Sequence, residues 1–171
     1  MLADIGLILL GFVIIAIIIA FNGYFVAQEF AYMAVDRPTL RSRAEKGDVG
    51  AKRALKVTNR TSFMLSGAQL GITVTGLLVG YVAEPLVGQS LGSILGTTGI
   101  PPALSVTVAT VFALVLAAVV QMIFGELFPK NLAIANPTPL SIGLSRSTLI
   151  YLAVFGWVIA FFDKASNALL R

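Results

Sequence analysis

The residues best suited to chemistry lie in one short segment, GELFPK, which covers residues 125–130. Pro129 has no backbone N–H, so in a helix the carbonyl of Gly125, four residues earlier, loses its usual donor. That freed carbonyl and the neighbouring Glu126 carboxylate would give two hard oxygen ligands, which suit a dehydrated Mg²⁺ ion. Equally, Glu126 could pair with Lys130 at the i,i+4 spacing of a helix surface. The spacing alone leaves both interpretations open.

A second group of polar residues lies within otherwise apolar stretches. Asn22 and Glu29 are seven residues apart, so a helix would place them on one face. Small and polar residues also recur every three or four positions, as Ser62, Ser66, Gln69, Thr73, Gly76 and Gly80. In lipid this stripe must face protein or a water-filled pathway, so it is either a helix-packing surface or the wall of an ion route. We expect an inward-facing cavity with polar residues of all three helices: Glu29, Gln69, Thr73 and Glu126.

The composition excludes a water-soluble globular fold. Of 171 residues, 57% are hydrophobic and 12% charged, against about 45–50% apolar and about 25% charged in soluble domains. Cysteine and histidine are both absent, which excludes thiol nucleophiles, disulfides, zinc fingers and imidazole bases. Any metal ion must therefore be bound by oxygen. Two glutamates acting alone give little basis for catalysis, so we do not expect an enzyme. Because the solvent of this chain is mostly lipid, its net charge of +4 informs the orientation in the membrane, and we expect no nucleic-acid partner.

The apolar stretches predict an all-α integral membrane protein with three transmembrane helices, each near the roughly 20 residues that a bilayer requires. The expected elements are transmembrane helices at about 5–30, 61–83 and 103–128, basic juxtamembrane helices at about 37–60, and a C-terminal helix at about 139–163. The apolar part of the last helix, 147–162, is marginal for a span. We therefore expect it to be interfacial or re-entrant, although it could still cross a thinned bilayer.

The distribution of basic residues predicts the orientation. Eight of the twelve lie between the first two spans: Arg37, Arg41, Arg43, Lys46, Lys52, Arg53, Lys56 and Arg60. Such a connection is expected on the cytoplasmic side, and it could also attract anionic lipid. The stretch at about 84–102 has no lysine or arginine, is rich in Gly, Ser, Thr and Pro, and should form an outside loop. We expect a multi-pass protein of the cell (inner) membrane, with the N-terminus outside and the C-terminus in the cytoplasm.

Three motifs resemble the transmembrane domain of the CorC/cyclin M (CNNM) magnesium transporter family. They are NGYFVAQEFA at 22–31, QLGIT at 69–73 and FGELFPK at 124–130. The resemblance extends over nearly the whole chain and is strongest for the hemolysin-like branch. It implies a homodimer of three-helix units that exports Mg²⁺ from an inward-facing site, with Na⁺ as the candidate coupling ion. It also implies that the full-length protein continues into a cytoplasmic pair of CBS domains.

The resemblance also suggests roles for particular residues. The family's third-helix glycine and glutamate correspond to Gly125 and Glu126. Many members have a serine where this chain has Val26, and an asparagine in the second-helix motif where this chain has Ile72 or Gly76. We therefore expect the missing metal ligands to come from Gln28, Gln69 or Thr73. Residues that would support or gate the site are Glu29, Asn22, Pro129 and Lys130.

An alternative function fits the same features. The polar stripe could serve to dimerise a membrane anchor that does not transport, or a Mg²⁺ sensor module for the CBS domains. Under this hypothesis, Glu126→Gln would change dimer stability without any ion flux to lose. A flux assay with purified protein separates the two hypotheses.

Overall fold

A computed structural model describes residues 2–96 and 101–168, which are almost entirely helical and contain no β-strand. The α-helices are α1 (Leu2–Ala34), α2 (Arg37–Glu45), α3 (Val49–Thr58), α4 (Thr61–Ala83), α5 (Gln89–Gly96), α6 (Pro102–Val120), α7 (Phe128–Ala135), α8 (Pro137–Val154) and α9 (Gly156–Ala168). A first π-helix, Glu84–Gly88, precedes α5, and a second, Gln121–Leu127, precedes α7. The predicted all-α fold class is confirmed, whereas the predicted homodimer stays a prediction.

Three helical stretches are long and apolar enough to cross a membrane: Asp4–Ala34, Thr61–Gly96 and Ala103–Ala135. Large apolar side chains cover their outer surfaces, among them Leu9, Phe21, Leu77 and Phe112. A soluble protein rarely exposes so much contiguous apolar surface, so these side chains face lipid. The prediction of three membrane-spanning helices is confirmed.

The chain divides into two compact units, and the first consists of Met1–Gly23 with Thr73–Leu127. Its apolar core is formed by Ile15, Ile19, Val79, Ala83, Val87, Ala113 and Ala117. Gly88 of the first π-helix and Gly92 of α5 allow α6 to approach these two elements closely. A Cβ at Gly88 would lie 2.9 Å from Thr110 Cα, and one at Gly92 would lie 2.7 Å from Val106 Cα. Small residues four apart are a common basis for helix contact in membranes.

The prediction of a loop at about 84–102 is wrong for most of this segment. The segment is helical from Glu84 to Gly96, and residues 97–100 lie outside the described residues. Its glycines at 88, 92 and 96 suggested a loop because glycine lowers helix propensity in water. Their four-residue spacing, however, is that of a helix-packing motif, and Gly88 and Gly92 contact α6 in this way.

The second unit consists of Tyr24–Ile72 with Phe128–Arg171. Its core contains side chains from several helices, including Tyr32, Leu40, Ala51, Ala54, Met64, Ala68, Leu152 and Ile159. Gly67 and Gly71 admit neighbouring side chains. A Cβ at Gly71 would lie 2.5 Å from Phe25 Cγ. The Tyr151 hydroxyl donates to the Gly67 carbonyl at 2.9 Å, which ties α8 to α4.

The basic connection forms a helical hairpin, α2 and α3, whose ends are capped. The Asp36 carboxylate accepts from the Thr39 N–H, and the Asp48 carboxylate accepts from the Ala51 N–H. The Thr39 hydroxyl also donates to Asp36, and it lowers the pKa of that carboxyl more than the Thr39 N–H does. The Ala51 N–H is the main cause of the lowered pKa of Asp48, because such hydrogen bonds favour the charged carboxylate. Gly47 lies between the helices with φ at 96°, a backbone conformation that glycine adopts readily.

The C-terminal stretch differs from the single helix expected at 139–163. It forms α8 and α9, which meet at an angle of 81°. The chain turns at Phe155, where the backbone has φ −97° and ψ 8°. Gly156 follows, and a Cβ there would lie 3.7 Å from Phe63 Cζ. Such a bent pair is either a broken span or a re-entrant loop.

Candidate cation site in the membrane-spanning helices

Asn22 is the centre of a buried polar cluster in the first unit. Its side chain is fully buried, and its Nδ2 donates to the Gly125 carbonyl at 3.0 Å. Thr75 Oγ1 donates to Asn22 Oδ1 at 2.7 Å. Three helical segments, α1, α4 and the second π-helix, therefore meet at one side-chain amide. We call Asn22, Thr75 and Gly125 the Asn22 cluster.

The local backbone explains why Gly125 lies in this cluster. Pro129 has no N–H to donate to the Gly125 carbonyl, and this carbonyl accepts from the Asn22 amide. A Cβ at residue 125 would lie 3.0 Å from Asn22 Nδ2 and 3.3 Å from Gln121 Cγ, so glycine lets the amide approach without displacing these side chains. Gly125 also lies within the second π-helix, and π-helical turns occur frequently at functional sites.

The other residues predicted for this site in the first unit lie near its surface. Glu126 is exposed within the second π-helix, and Thr73 is exposed on α4. Gly76 allows a close approach of Gln121, since a Cβ at Gly76 would lie 3.2 Å from Gln121 Nε2. The metal-ligand roles of Gly125, Glu126 and Thr73 stay predictions.

A second polar contact lies in the second unit. Gln69 Nε2 donates to Glu29 Oε1 at 2.9 Å, and both side chains are at least partly exposed. The amide leaves the second Glu29 carboxylate oxygen outside this hydrogen bond. Lys130 lies over the Phe30 ring, with its Nζ 4.8 Å from the ring centroid, a distance at which a cation–π attraction is significant. Pro129 is buried in α7.

Gln28 is unusual among the predicted site residues. Its side chain is fully buried, and neither Oε1 nor Nε2 has a hydrogen-bond partner among the described residues. It lies four residues from Tyr24 and from Tyr32, whose hydroxyls donate to the Ser147 hydroxyl and to the Ser141 carbonyl of α8. Gln28 therefore shares the face of α1 that contacts α8. Its proposed role as a ligand stays a prediction.

The small and polar stripe of α4 does not act as one surface. Ser62 and Ser66 donate to Asp163 Oδ1 at 2.8 and 3.1 Å, which joins α4 to α9. Gln69 binds Glu29, and Thr73 is exposed. Hydrogen bonding between helices therefore accounts for its first three positions. The predicted convergence of Glu29 with Glu126 stays a prediction, because the two residues belong to different units.

Sequence reasoning missed Thr75. The spacing of the stripe selected Thr73, two residues earlier, whereas Thr75 donates to Asn22. A signal was present, because Thr75 is a further hydroxyl-bearing residue in the same apolar helix. Within the described residues no three His, Cys, Asp or Glu side chains group closely enough to hold a metal ion. A cation here would depend on one carboxylate with neutral oxygens.

Comparison with known proteins identifies the family. Residues 13–171 match the family model for the cyclin M transmembrane N-terminal domain. The uncharacterized protein Rv1841c of Mycobacterium tuberculosis is 36% identical over 155 residues, which cover 91% of this chain and 44% of that protein. The UPF0053 protein YugS of Bacillus subtilis is 29% identical over 161 residues, covering 94% of this chain and 38% of YugS. The chain thus spans less than half the length of these curated relatives. It belongs to the cyclin M (CNNM) transmembrane domain family.

Proposed function

We propose that this domain transports Mg²⁺ through a site built from the Gly125 carbonyl and the Glu126 carboxylate. The observation that carries the proposal is the hydrogen bond from Asn22 Nδ2 to the Gly125 carbonyl. Because this carbonyl accepts from a side chain, a ligand can replace the side-chain donor without breaking a backbone hydrogen bond of the helix. Membrane transporters use such main-chain oxygens at interrupted helices to bind their ions.

The Asn22 amide donates to the Gly125 carbonyl oxygen, which a bound ion would contact in its place. If the amide rotated by half a turn, Oδ1 would face the Gly125 carbonyl, and two acceptors approach closely only with a cation between them. The Thr75 hydroxyl can follow this rotation, because a hydroxyl both donates and accepts. Mg²⁺ would then gain neutral oxygens in the Asn22 cluster, and Glu126 would supply the negative charge.

The charge of the ion argues for coupled transport. Moving an ion against the membrane potential costs about 2.3 kcal/mol per charge per 100 mV. Export of a divalent ion from a negative interior therefore needs a second ion gradient, and Na⁺ is the candidate that family resemblance supports. Glu29, held by the Gln69 amide, is a second carboxylate suited to supporting or gating the route.

The remaining features of the proposal concern the whole protein. We propose that the domain functions as a homodimer in the cell membrane and that a CBS pair follows it in the cytoplasm. We also propose that its N-terminus lies outside. Membrane-impermeant labelling of a cysteine introduced at Ser166 would test the side on which α9 ends. We propose that α9 ends on the cytoplasmic side, and labelling from outside intact cells would contradict this cytoplasmic C-terminus.

The flux experiment uses two glutamates, each within a π-helix. Purified protein is reconstituted into vesicles that contain a Mg²⁺-sensitive dye, and the rate of Mg²⁺ movement is measured. We expect Glu126→Gln to reduce flux to that of empty vesicles. The matched control is Glu84→Gln in the first π-helix, which is also exposed and should retain wild-type flux.

Two results would refute transport through this site. Wild-type flux equal to that of empty vesicles would favour the anchor or sensor function instead. Wild-type flux that survives Glu126→Gln would show transport by another route. The dimeric fraction of each variant is measured alongside, because a change confined to dimer yield is the result that the anchor hypothesis predicts.

A further inference from the structure

A cavity of about 210 Å³ lies within the second unit, where α3 ends and α4 begins, and α8 forms its other side. Apolar side chains form most of its wall: Val57, Phe63, Leu149, Leu152 and Ala153. Two cationic residues, Lys56 and Arg60, complete the lining. An apolar cavity with two cations in its lining suits an amphipathic, negatively charged ligand.

The two cations are free to bind such a ligand. Lys56 and Arg60 are four residues apart and both exposed. Among the described residues neither forms an ion pair, whereas Arg43 in the same hairpin is paired with Asp48 at 3.0 Å. Arginine and lysine together suit a phosphate group, which accepts several charge-assisted hydrogen bonds.

The position of the cavity relative to the bilayer follows from the chain. Arg60 immediately precedes α4, which begins a candidate span at Thr61. Trp157 is 80% exposed and follows Gly156, where a Cβ would lie 3.7 Å from the Phe63 ring that lines the cavity. Exposed tryptophan is enriched at the level of lipid headgroups. The cavity therefore lies where phospholipid headgroups meet acyl chains.

We propose that this cavity binds an anionic phospholipid. Lys56 and Arg60 bind the phosphate, and the glycerol and the first acyl carbons occupy the apolar slot between Phe63 and α8. A lipid in this position would link the juxtamembrane hairpin to α4 and α8. Inorganic phosphate shares the headgroup chemistry but has no part to fill the slot, so the apolar wall favours the lipid.

Trp157 provides the measurement, because it is the one tryptophan in the sequence. The full chain is placed in bilayers that contain brominated phosphatidylglycerol or brominated phosphatidylcholine, and quenching of Trp157 reports which lipid lies beside it. We expect phosphatidylglycerol to be preferred by up to about 30-fold, which corresponds to about 1 kcal/mol for each of two basic side chains.

Three variants distinguish a specific site from general charge. Lys56→Gln with Arg60→Gln should abolish the preference. The matched control, Lys46→Gln with Lys52→Gln, removes the same charge from exposed positions of the hairpin that do not line the cavity, and it should keep the preference. Ala153→Phe leaves all charges in place and fills the slot, so it should also lower the preference.

Several outcomes would overturn the proposal. An equal loss of the phosphatidylglycerol preference in both double-glutamine variants would show that the overall positive charge of the hairpin attracts the lipid without a specific site. A wild-type preference in Ala153→Phe would show that the slot holds no lipid. Inorganic phosphate that removes the preference at unchanged ionic strength would identify free phosphate as the ligand. None of these results depends on Mg²⁺ flux, so the proposal stands or falls separately from transport.

Discussion

Two threonines on α4 provide the sharpest test of the Asn22 cluster. Thr75 is buried and donates to Asn22 Oδ1 at 2.7 Å, whereas Thr73 is exposed. Valine is close to threonine in size, so each Thr→Val substitution removes a hydroxyl with little change in packing. We expect Thr73→Val to change the free energy of unfolding by less than about 0.5 kcal/mol. Thr75→Val should destabilise the protein.

The size of the effect follows from what the substitution leaves behind. Thr75→Val removes a donor from the oxygen of a fully buried amide, and an unsatisfied buried acceptor costs about 1–3 kcal/mol. Hydrogen bonds between helices in membranes are weaker on average, at about 0.6 kcal/mol with a maximum near 1.7 kcal/mol. We therefore expect a loss of about 1–2 kcal/mol for Thr75→Val. Asn22→Leu should cost more, because it also removes the donor to Gly125.

A double-mutant cycle of Asn22→Leu and Thr75→Val isolates their interaction from the other contacts of either residue. Reversible unfolding in lipid bicelles, followed by Trp157 fluorescence, gives the four free energies. We expect a coupling energy of about 0.6–1.7 kcal/mol. A coupling energy near zero, or equal destabilisation by Thr73→Val and Thr75→Val, would refute the Asn22 cluster.

Three further predictions use other parts of the chain. Because the Gln28 amide is buried and has no hydrogen-bond partner within the described part of the chain, Gln28→Leu should raise the free energy of unfolding by about 1 kcal/mol; destabilisation in the same bicelle assay would mean that a bound ion or water satisfies the amide. The Ala51 N–H lowers the pKa of Asp48, so its stabilising effect is present above the unfolded pKa of about 3.9 and is lost as pH falls through the folded value. The start of α3 should therefore open as pH falls, which hydrogen exchange would detect. Asp48→Asn keeps the cap and should remove this pH dependence; opening that persists in the variant would contradict the role given to Asp48. Pro129→Ala restores an N–H that competes for the carbonyl of the Asn22 cluster and should slow Mg²⁺ flux, whereas Pro137→Ala, in the first turn of α8, should not; equal rates would refute the competition.

Features that depend on neighbouring residues were predictable from the sequence. The long apolar stretches predicted the three spans because a bilayer imposes a minimum length on any crossing helix. Local residues also account for the ends of the juxtamembrane helices expected at about 37–60: Asp36 caps α2 just before Pro38, and Gly47 lies in the break before α3. In each case the cause lies within a few residues of the effect.

The partners of polar side chains were harder to predict, because they depend on which helices meet. Periodicity grouped Gln69 with Thr73 on one face of α4, as an isolated amphipathic helix would require. A membrane helix contacts different neighbours on different sides, and Gln69 and Thr75 are six residues apart, about a third of a turn around the helix. Each has its own partner, Glu29 and Asn22 respectively. Periodicity can identify one polar face of a helix, but it cannot show that two faces contact different neighbouring helices.

The contacts of Lys130 bear on the choice that the sequence left open for Glu126. The i,i+4 spacing brings the two residues close enough for an ion pair. The Lys130 ammonium, however, lies over the Phe30 ring at 4.8 Å from its centroid, so it has an aromatic partner of its own. Glu126 belongs to the π-helix that also contains Gly125, whose carbonyl accepts from Asn22. These two contacts are the basis on which we propose Glu126 as an oxygen ligand and not as the ion-pair partner of Lys130.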